Sequence, residues 1–248
     1  MPNVSRPEPS VARGFGTTTS GPHTVALATR QGIWVGLATG AYGISFGALS
    51  VASGLNVWQT CLLSLLMFTG GSQFAFIGVI AGGGAGPAAA TTAFLLGVRN
   101  SLYSLQMAPL LRLRGPKRLA AAHVTIDESA AVSLAQPDER ARRAGFWAAG
   151  LGVFLFWNLA TLGGALLGNV LGDPAVWGLD GAAAAAFVAL LWPRLKERQA
   201  QAVGAVAAVV AVLLVPFSPA GIPILAAGGT AAAVGAWQFA RVKGREES

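Results

Sequence analysis

The chain has 248 residues, of which 54% are hydrophobic and 11% charged, with a formal net charge of +7. A soluble domain carries about 25% charged residues, so the composition excludes an ordinary soluble protein. Charge is nearly absent from residues 31–111, 147–172 and 199–240 and crowds into the gaps between them, which is the pattern of a polytopic membrane protein.

Continuous apolar runs, rather than ten-residue alternation, select helices over a β-barrel. The basic residues flank these runs, so they report topology and not a nucleic-acid surface. The single cysteine, Cys61, lies in an apolar run and excludes an intramolecular disulfide and any multi-cysteine metal site. The expectation is an all-α integral membrane protein, a polytopic helical bundle of about seven transmembrane helices, some glycine-rich and able to be discontinuous. It lies in a lipid bilayer, with no nucleic acid and no cofactor.

Residues 1–29 read as a disordered tail without a signal peptide. A single transmembrane domain spans 30–240, and 241–248 form a second tail. The first helix is predicted at 31–52. Its glycines at 32, 36, 40, 43 and 47 are spaced for close helix packing. Three of them fall within Gly40–Gly47, where a helix can also unwind and offer backbone to a ligand. The second helix is predicted at 57–81, with Thr69-Gly70-Gly71-Ser72-Gln73 at its centre. Small and polar residues at that depth mark a tight crossing or a break lining a cavity.

The third helix, 85–111, carries Arg99 near its middle. A charge there costs about 2.5–3.5 kcal/mol on insertion scales, so a partner, a cavity or a ligand must offset it. Tyr103 and Gln106 fall on the same helical face as Arg99. Residues 119–136 form an amphipathic connecting helix with His123, Asp127 and Glu128. Helices at 146–171, 175–192, 201–215 and 222–239 follow, the first with Asn158 mid-span and the second with Asp180 near its start.

Seven crossings with the N-terminus outside put 7, 3 and 3 basic residues of 112–143, 194–198 and 241–245 inside, against Arg6, Arg13 and Arg30 outside. If 119–135 also crosses, the N-terminus moves inside and the balance becomes 12 against 4. Seven is preferred, because embedding His123, Asp127 and Glu128 together is costly.

The sequence resembles the AzlC family of bacterial membrane proteins. A glycine-rich first helix ends in Phe46-Gly47, followed by Ala52-Ser53-Gly54-Leu55. Thr69-Gly70-Gly71-Ser72-Gln73 is similar to the family's Ala-Gly-Ala-Ser-Gln. Arg99-Asn100-Ser101-Leu102-Tyr103 is similar to Arg-His-x-Leu-Tyr, and Ile126-Asp127-Glu128 to Thr-Asp-Glu. Asn100 and Ile126 depart from the pattern, and a proline common in the family's first helix is absent from 41–46. The resemblance implies export of branched-chain amino acids from the bacterial inner membrane, with a small AzlD-type subunit as partner.

Two roles are open for Arg99: a salt bridge to Asp127 or Glu128, or a bidentate clamp for a substrate carboxylate. Gln73, Ser72, Asn158 and Gly43 join Arg99, Tyr103 and Gln106 as candidate substrate-binding residues. Asp127 and Glu128 are candidates for proton coupling. His123 and Asp127 have helical metal-ligand spacing but too few companions for a site. Gly70-Gly71-Ser72 has the form of an intramembrane serine protease, yet His23 and His123 are badly placed to serve as base. Two further readings are a carrier of another small solute and a subunit that only assembles others.

Overall fold

The computed structural model describes residues 22–171, 192–196, 198–218 and 222–246, together with Val176 and Val188. All regular elements among them are helical. The first helix is α1 (Pro22–Ala41), continued after the single turn residue Tyr42 by α2 (Gly43–Ala52). It begins inside the stretch expected to be a disordered tail, so only residues before 22 remain of that expectation. The break at Tyr42 is slight, because Tyr42 stays close to helical geometry at φ −65° and ψ −19°.

The helix expected over 57–81 is two helices, α3 (Val57–Leu66) and α4 (Gly71–Ala81). Gly70 breaks it, with φ 62° and ψ −82°, a conformation that a side chain disfavours. The two arms fold back on one another. Gln73 on α4 donates from Nε2 to the Leu63 and Ser64 carbonyls of α3, at 3.5 and 3.3 Å. Phe76 and Ile80 share one groove with Gln59, Leu62 and Leu66. The pair is a helical hairpin with its tip at 67–70. Its start is fixed by reciprocal Asn56–Gln59 capping bonds, both 2.9 Å. Length misled the sequence reading, since two short apolar arms add up to one membrane-crossing length.

Helix α5 (Gly86–Leu111) follows, then α6 (Pro116–His123) and α7 (Asp127–Leu134). These last two replace the single connecting helix expected over 119–136. Ile126 is extended, at φ −132° and ψ 175°. Ser129 Oγ ties the break together, accepting from the Ile126 N–H and donating to the Val124 carbonyl. Ala121 on α6 and Ala130 on α7 join one buried cluster with Met107, Leu111 and Phe146. The second hairpin thus lies beside the end of α5 and the start of α8 (Glu139–Leu171).

Helices α1–α2 and α8 run parallel along a seam of small residues. Cβ atoms built on Gly32, Gly36, Gly43 and Gly47 would strike, in that order, Ala149, Gly152, Trp157 and Thr161. Both therefore rise from the same end of the bundle. There, Thr24 donates to Asp138 at 3.1 Å and Gln136 to Gln31 at 3.0 Å. Helix α5 runs the other way, so the turns 53–56 and 82–85 lie at the opposite end. The two hairpins enter from opposite ends and meet midway. Their second arms start at Gly71 and Asp127, with Thr69 and Thr125 two residues earlier in each case.

Two further helices, α9 (Arg198–Leu214) and α10 (Ile222–Glu246), pack against each other. The helix expected at 175–192, with Asp180, lies almost entirely outside the described residues. Three helical stretches among the described residues are long and apolar enough to cross a membrane: Pro22–Ala52, Glu139–Val170 and Arg198–Phe217. Trp58, Leu66, Phe94 and Leu105 are more than 70% exposed, as lipid-facing side chains require.

Candidate functional site

The hairpin tips and the middles of α5 and α8 enclose a cavity of about 170 Å³. Its polar wall is Arg99, Asp127, Glu128, Thr69 and Tyr42; its apolar wall is Phe68, Phe74, Ile126, Val153 and Trp157. Arg99 holds both tips. Its Nη1 donates to Asp127 Oδ2 at 2.9 Å, and its Nη2 to the Thr69 carbonyl at 3.3 Å. The unwinding at 67–70 frees that carbonyl from the helical ladder. Asp127 stands in the first turn of α7, where the helix end favours a carboxylate. Arg99 and Asp127 keep 33% and 21% of their side-chain surface, so the pair is reachable from the cavity.

The apolar wall is built of rings packed on one another. Trp157 stacks on Phe46 at 6.0 Å, and Phe74 meets both rings edge-on at 5.6 and 6.1 Å. Phe68 at the first tip meets Phe154 edge-on at 5.1 Å. Several buried polar atoms have no hydrogen-bond partner among the described residues. Arg99 Nε, Thr69 Oγ1 and Trp157 Nε1 are three of them, all on residues of this cavity.

Of the residues singled out from the sequence, the structure brings together Arg99, Asp127 and Glu128. Ser72 is fully buried, with Oγ lacking a partner, and lines a neighbouring groove. Gln73 clips the first hairpin through Nε2. Asn158 donates to the Phe154 carbonyl one turn back. Gly43 is pressed against the Trp157 carbonyl. Tyr103 packs beside the second cluster, and Gln106 is exposed. Sequence reasoning missed Tyr42, Phe68, Thr69 and Trp157 as cavity residues. Thr69 had a signal, since it precedes the Gly-Gly pair of the break; the aromatics had none that separated them from core.

Arg99, the tips and the α8 wall all fall within residues 35–171, more than half of the chain, which match the AzlC protein family. The chain belongs to the AzlC family. No curated protein and no solved structure matches it. Membership in this family gives the AzlC chain a membrane transport-related function, and the cavity lies wholly inside the family region. What the arrangement can do follows from its charges. A cation and a carboxylate sit side by side next to an apolar wall, which complements a zwitterion with an apolar side chain. The guanidinium would take the ligand carboxylate in a forked contact, and Asp127 with Glu128 would take the ammonium.

Proposed function

We propose that this AzlC-family chain is the transport subunit of an exporter of branched-chain amino acids in the bacterial inner membrane. It works with a small AzlD-type membrane subunit and exchanges protons through Asp127 or Glu128. The observation that carries the reading is the Arg99–Asp127 pair on an apolar, aromatic-walled cavity between two hairpin tips. A zwitterion replaces the internal pair with two equivalent pairs, so its entry does not strand a buried charge. A proton on Asp127 would release Arg99 in the same way, which links proton and substrate occupancy of one site.

The hairpins also supply a route. Broken elements that meet near the bilayer midplane are the places where transporters bind cargo. One hairpin tip borders the cavity from each end of the bundle, so release of either tip opens the site to one face. Charge gives the orientation. The end shared by α1 and α8 carries Arg112 and Arg114 in the turn after α5, Lys117 and Arg118 at the start of α6, and Arg140, Arg142 and Arg143 at the start of α8, while turns 53–56 and 82–85 carry no Lys or Arg. By the positive-inside rule the first end is cytoplasmic. The N-terminus then lies inside, opposite to the seven-helix expectation.

The test is efflux of leucine and valine from cells preloaded with the corresponding dipeptides. The chain is expressed alone and with its small partner, beside an Arg99→Gln version at equal membrane abundance. Faster efflux that needs the partner and is lost in Arg99→Gln supports the exporter and its clamp. Absence of efflux for both amino acids, with the protein in the membrane, sinks the branched-chain assignment.

A further inference from the structure

At 26 residues α5 is long enough to cross a membrane, yet it is not among the stretches apolar enough to do so by composition. Part of that deficit lies on its open side. Two grooves, of about 550 and 340 Å³, run along the helix. They share Ala122 and Thr125, so they form one slot that follows α5 from Ala90 to Leu111. At 1.5 Å per residue that is roughly 32 Å, close to the hydrocarbon thickness of a bilayer at about 30 Å. Leu66 and Phe94 on its rim are 76% and 73% exposed, so the slot opens sideways toward lipid. Its lining is nevertheless polar in the middle. Ser101 on α5 and His123 at the end of α6 are both exposed, and neither side chain makes a hydrogen bond among the described residues. His123 is held by the rings of Phe68 and Phe154, at 6.1 and 5.6 Å. An ionisable side chain at membrane depth normally faces protein or water, not lipid.

We propose that this slot is the docking site for one membrane-spanning helix of the small partner subunit, a helix that carries a hydrogen-bonding side chain at mid-span for His123 and Ser101. This rests on the partner in the proposed function and assigns it a surface. A lipid tail would fill the slot but leave the imidazole and the hydroxyl unpaired. A second copy of the chain, related by a two-fold axis, would set groove against groove, and two concave faces leave the gap unfilled. A helix is convex and spans the same length. The floor of the slot suits it, because Ala90, Gly97, Ser101, Ser104 and Ala108 let another backbone approach closely. At the basic end Arg118 lines the slot without an ion pair among the described residues, so it offers a counter-charge to the carbonyl end of the incoming helix. Phe68 and Thr69 border both the slot and the Arg99 cavity. A seated helix therefore rests on the tip that Arg99 holds, where it can set when that tip releases.

The experiment co-expresses the full-length chain with the epitope-tagged small AzlD-type subunit and measures how much subunit is recovered with it in detergent. Ser101→Phe fills the slot. Leu102→Phe puts the same ring on the next residue, which is 62% exposed and lies outside the slot. Both positions are exposed in the chain alone, so neither change crowds its own core. Ser101→Phe is expected to lower recovery about tenfold or more, the effect of overpacking a close contact. Leu102→Phe is expected to leave it unchanged. His123→Phe keeps a ring against Phe68 and Phe154 and is expected to lower recovery about threefold, the worth of one interhelical hydrogen bond in a membrane. In a Cys61→Ala background, Ser101→Cys is expected to form disulfides with cysteines set every three or four residues along one partner helix. Full recovery with Ser101→Phe, or equal loss with Leu102→Phe, overturns the proposal. So does a Ser101→Cys disulfide between two copies of the chain. Should Ser101→Phe not reach the membrane, the cross-links decide alone. If wild type recovers no small subunit, the partner reading falls and this proposal with it, while efflux by the chain alone would leave the Arg99 cavity as the transport site.

Discussion

Arg99 Nη1 lies 2.9 Å from Asp127 Oδ2, and the two residues belong to different halves of the chain's broken architecture: Arg99 to the continuous helix α5, Asp127 to the first turn of a hairpin arm. The same guanidinium also binds the Thr69 carbonyl at the other tip. One side chain therefore fastens two hairpins that arrive from opposite ends. Neither bond alone explains the position of Arg99. Together they account for a charge at mid-helix, because one tip supplies the Thr69 carbonyl freed by unwound backbone and the other the Asp127 carboxylate at a helix start.

Removing either partner leaves the other charge without its counter-ion, which destabilises more than removing both. Arg99→Gln and Asp127→Asn are each expected to lower the unfolding temperature in detergent. The double variant is expected to recover part of the loss, with a coupling of about 1–3 kcal/mol. Simply additive losses would mean that the 2.9 Å contact carries no energy of its own. Arg99→Lys keeps the charge but not the fork, so it should preserve stability better than efflux.

Much of this was legible from the residues. Arg99 stood out because nothing near it in an apolar run could balance its charge, and Asp127 and Glu128 were the nearest acidic candidates in sequence. The hairpins were not legible. Residues 57–81 carry no charge and are long enough for one crossing, and hydropathy does not record that Gln73 turns back onto Leu63. The break itself was foreshadowed by Gly70-Gly71, yet a break and a reversal look alike in sequence. Trp157 and Phe68 were hidden for another reason. Their rings have the character of core, and only their place on the cavity wall separates them from it. Gln73 and Asn158 stood out because an amide in lipid needs partners; both donate to backbone carbonyls and neither borders the Arg99 cavity.

The first hairpin depends on that Gln73 clip. The side chain is fully buried, and its Nε2 reaches two carbonyls of the facing arm. Gln73→Leu removes this donor from the Ser64 carbonyl, while the Leu63 carbonyl still accepts from the Met67 N–H, at a cost of about 1–3 kcal/mol. A lower unfolding temperature with an unchanged leucine KM in the folded fraction is the expected outcome. A KM that rises without loss of stability would instead put Gln73 in contact with the substrate.

Gly163 and Gly164 are neighbours on α8 with opposite surroundings. A Cβ on Gly163 meets nothing within 4 Å, whereas one on Gly164 would run into the Ile44 carbonyl group. Gly163→Ala should therefore be neutral or stabilising by up to about 1 kcal/mol, through helix propensity alone. Gly164→Ala should destabilise by about 1–3 kcal/mol, because backbone has to move. Thermal unfolding of the two variants side by side checks the parallel seam directly. Equal behaviour would mean that α2 and α8 do not touch at this register.

The decisive arrangement of the chain can be read with four cysteines introduced singly into a Cys61→Ala background. Ser53 and Ala85 stand in the turns flanking the first hairpin, and Arg114 and Pro137 in those flanking the second. If both hairpins are re-entrant, each pair of turns shares one side. An impermeant maleimide should then label Ser53→Cys and Ala85→Cys in intact cells, and Arg114→Cys and Pro137→Cys only after permeabilisation. Ser53 and Ala85 on opposite sides would make 57–81 a true crossing and remove the first hairpin. Arg114 and Pro137 on opposite sides would do the same for the second. Reversal of both pairs together would keep the hairpins and overturn the orientation drawn from the basic residues. The parallel course of α1 and α8 constrains these outcomes, because the chain must cross an odd number of times between them. If α5, 26 residues long, crosses once, the two intervening pairs either both turn back or both cross. A single discordant pair would therefore contradict the helix packing itself, not only the reading of the tips.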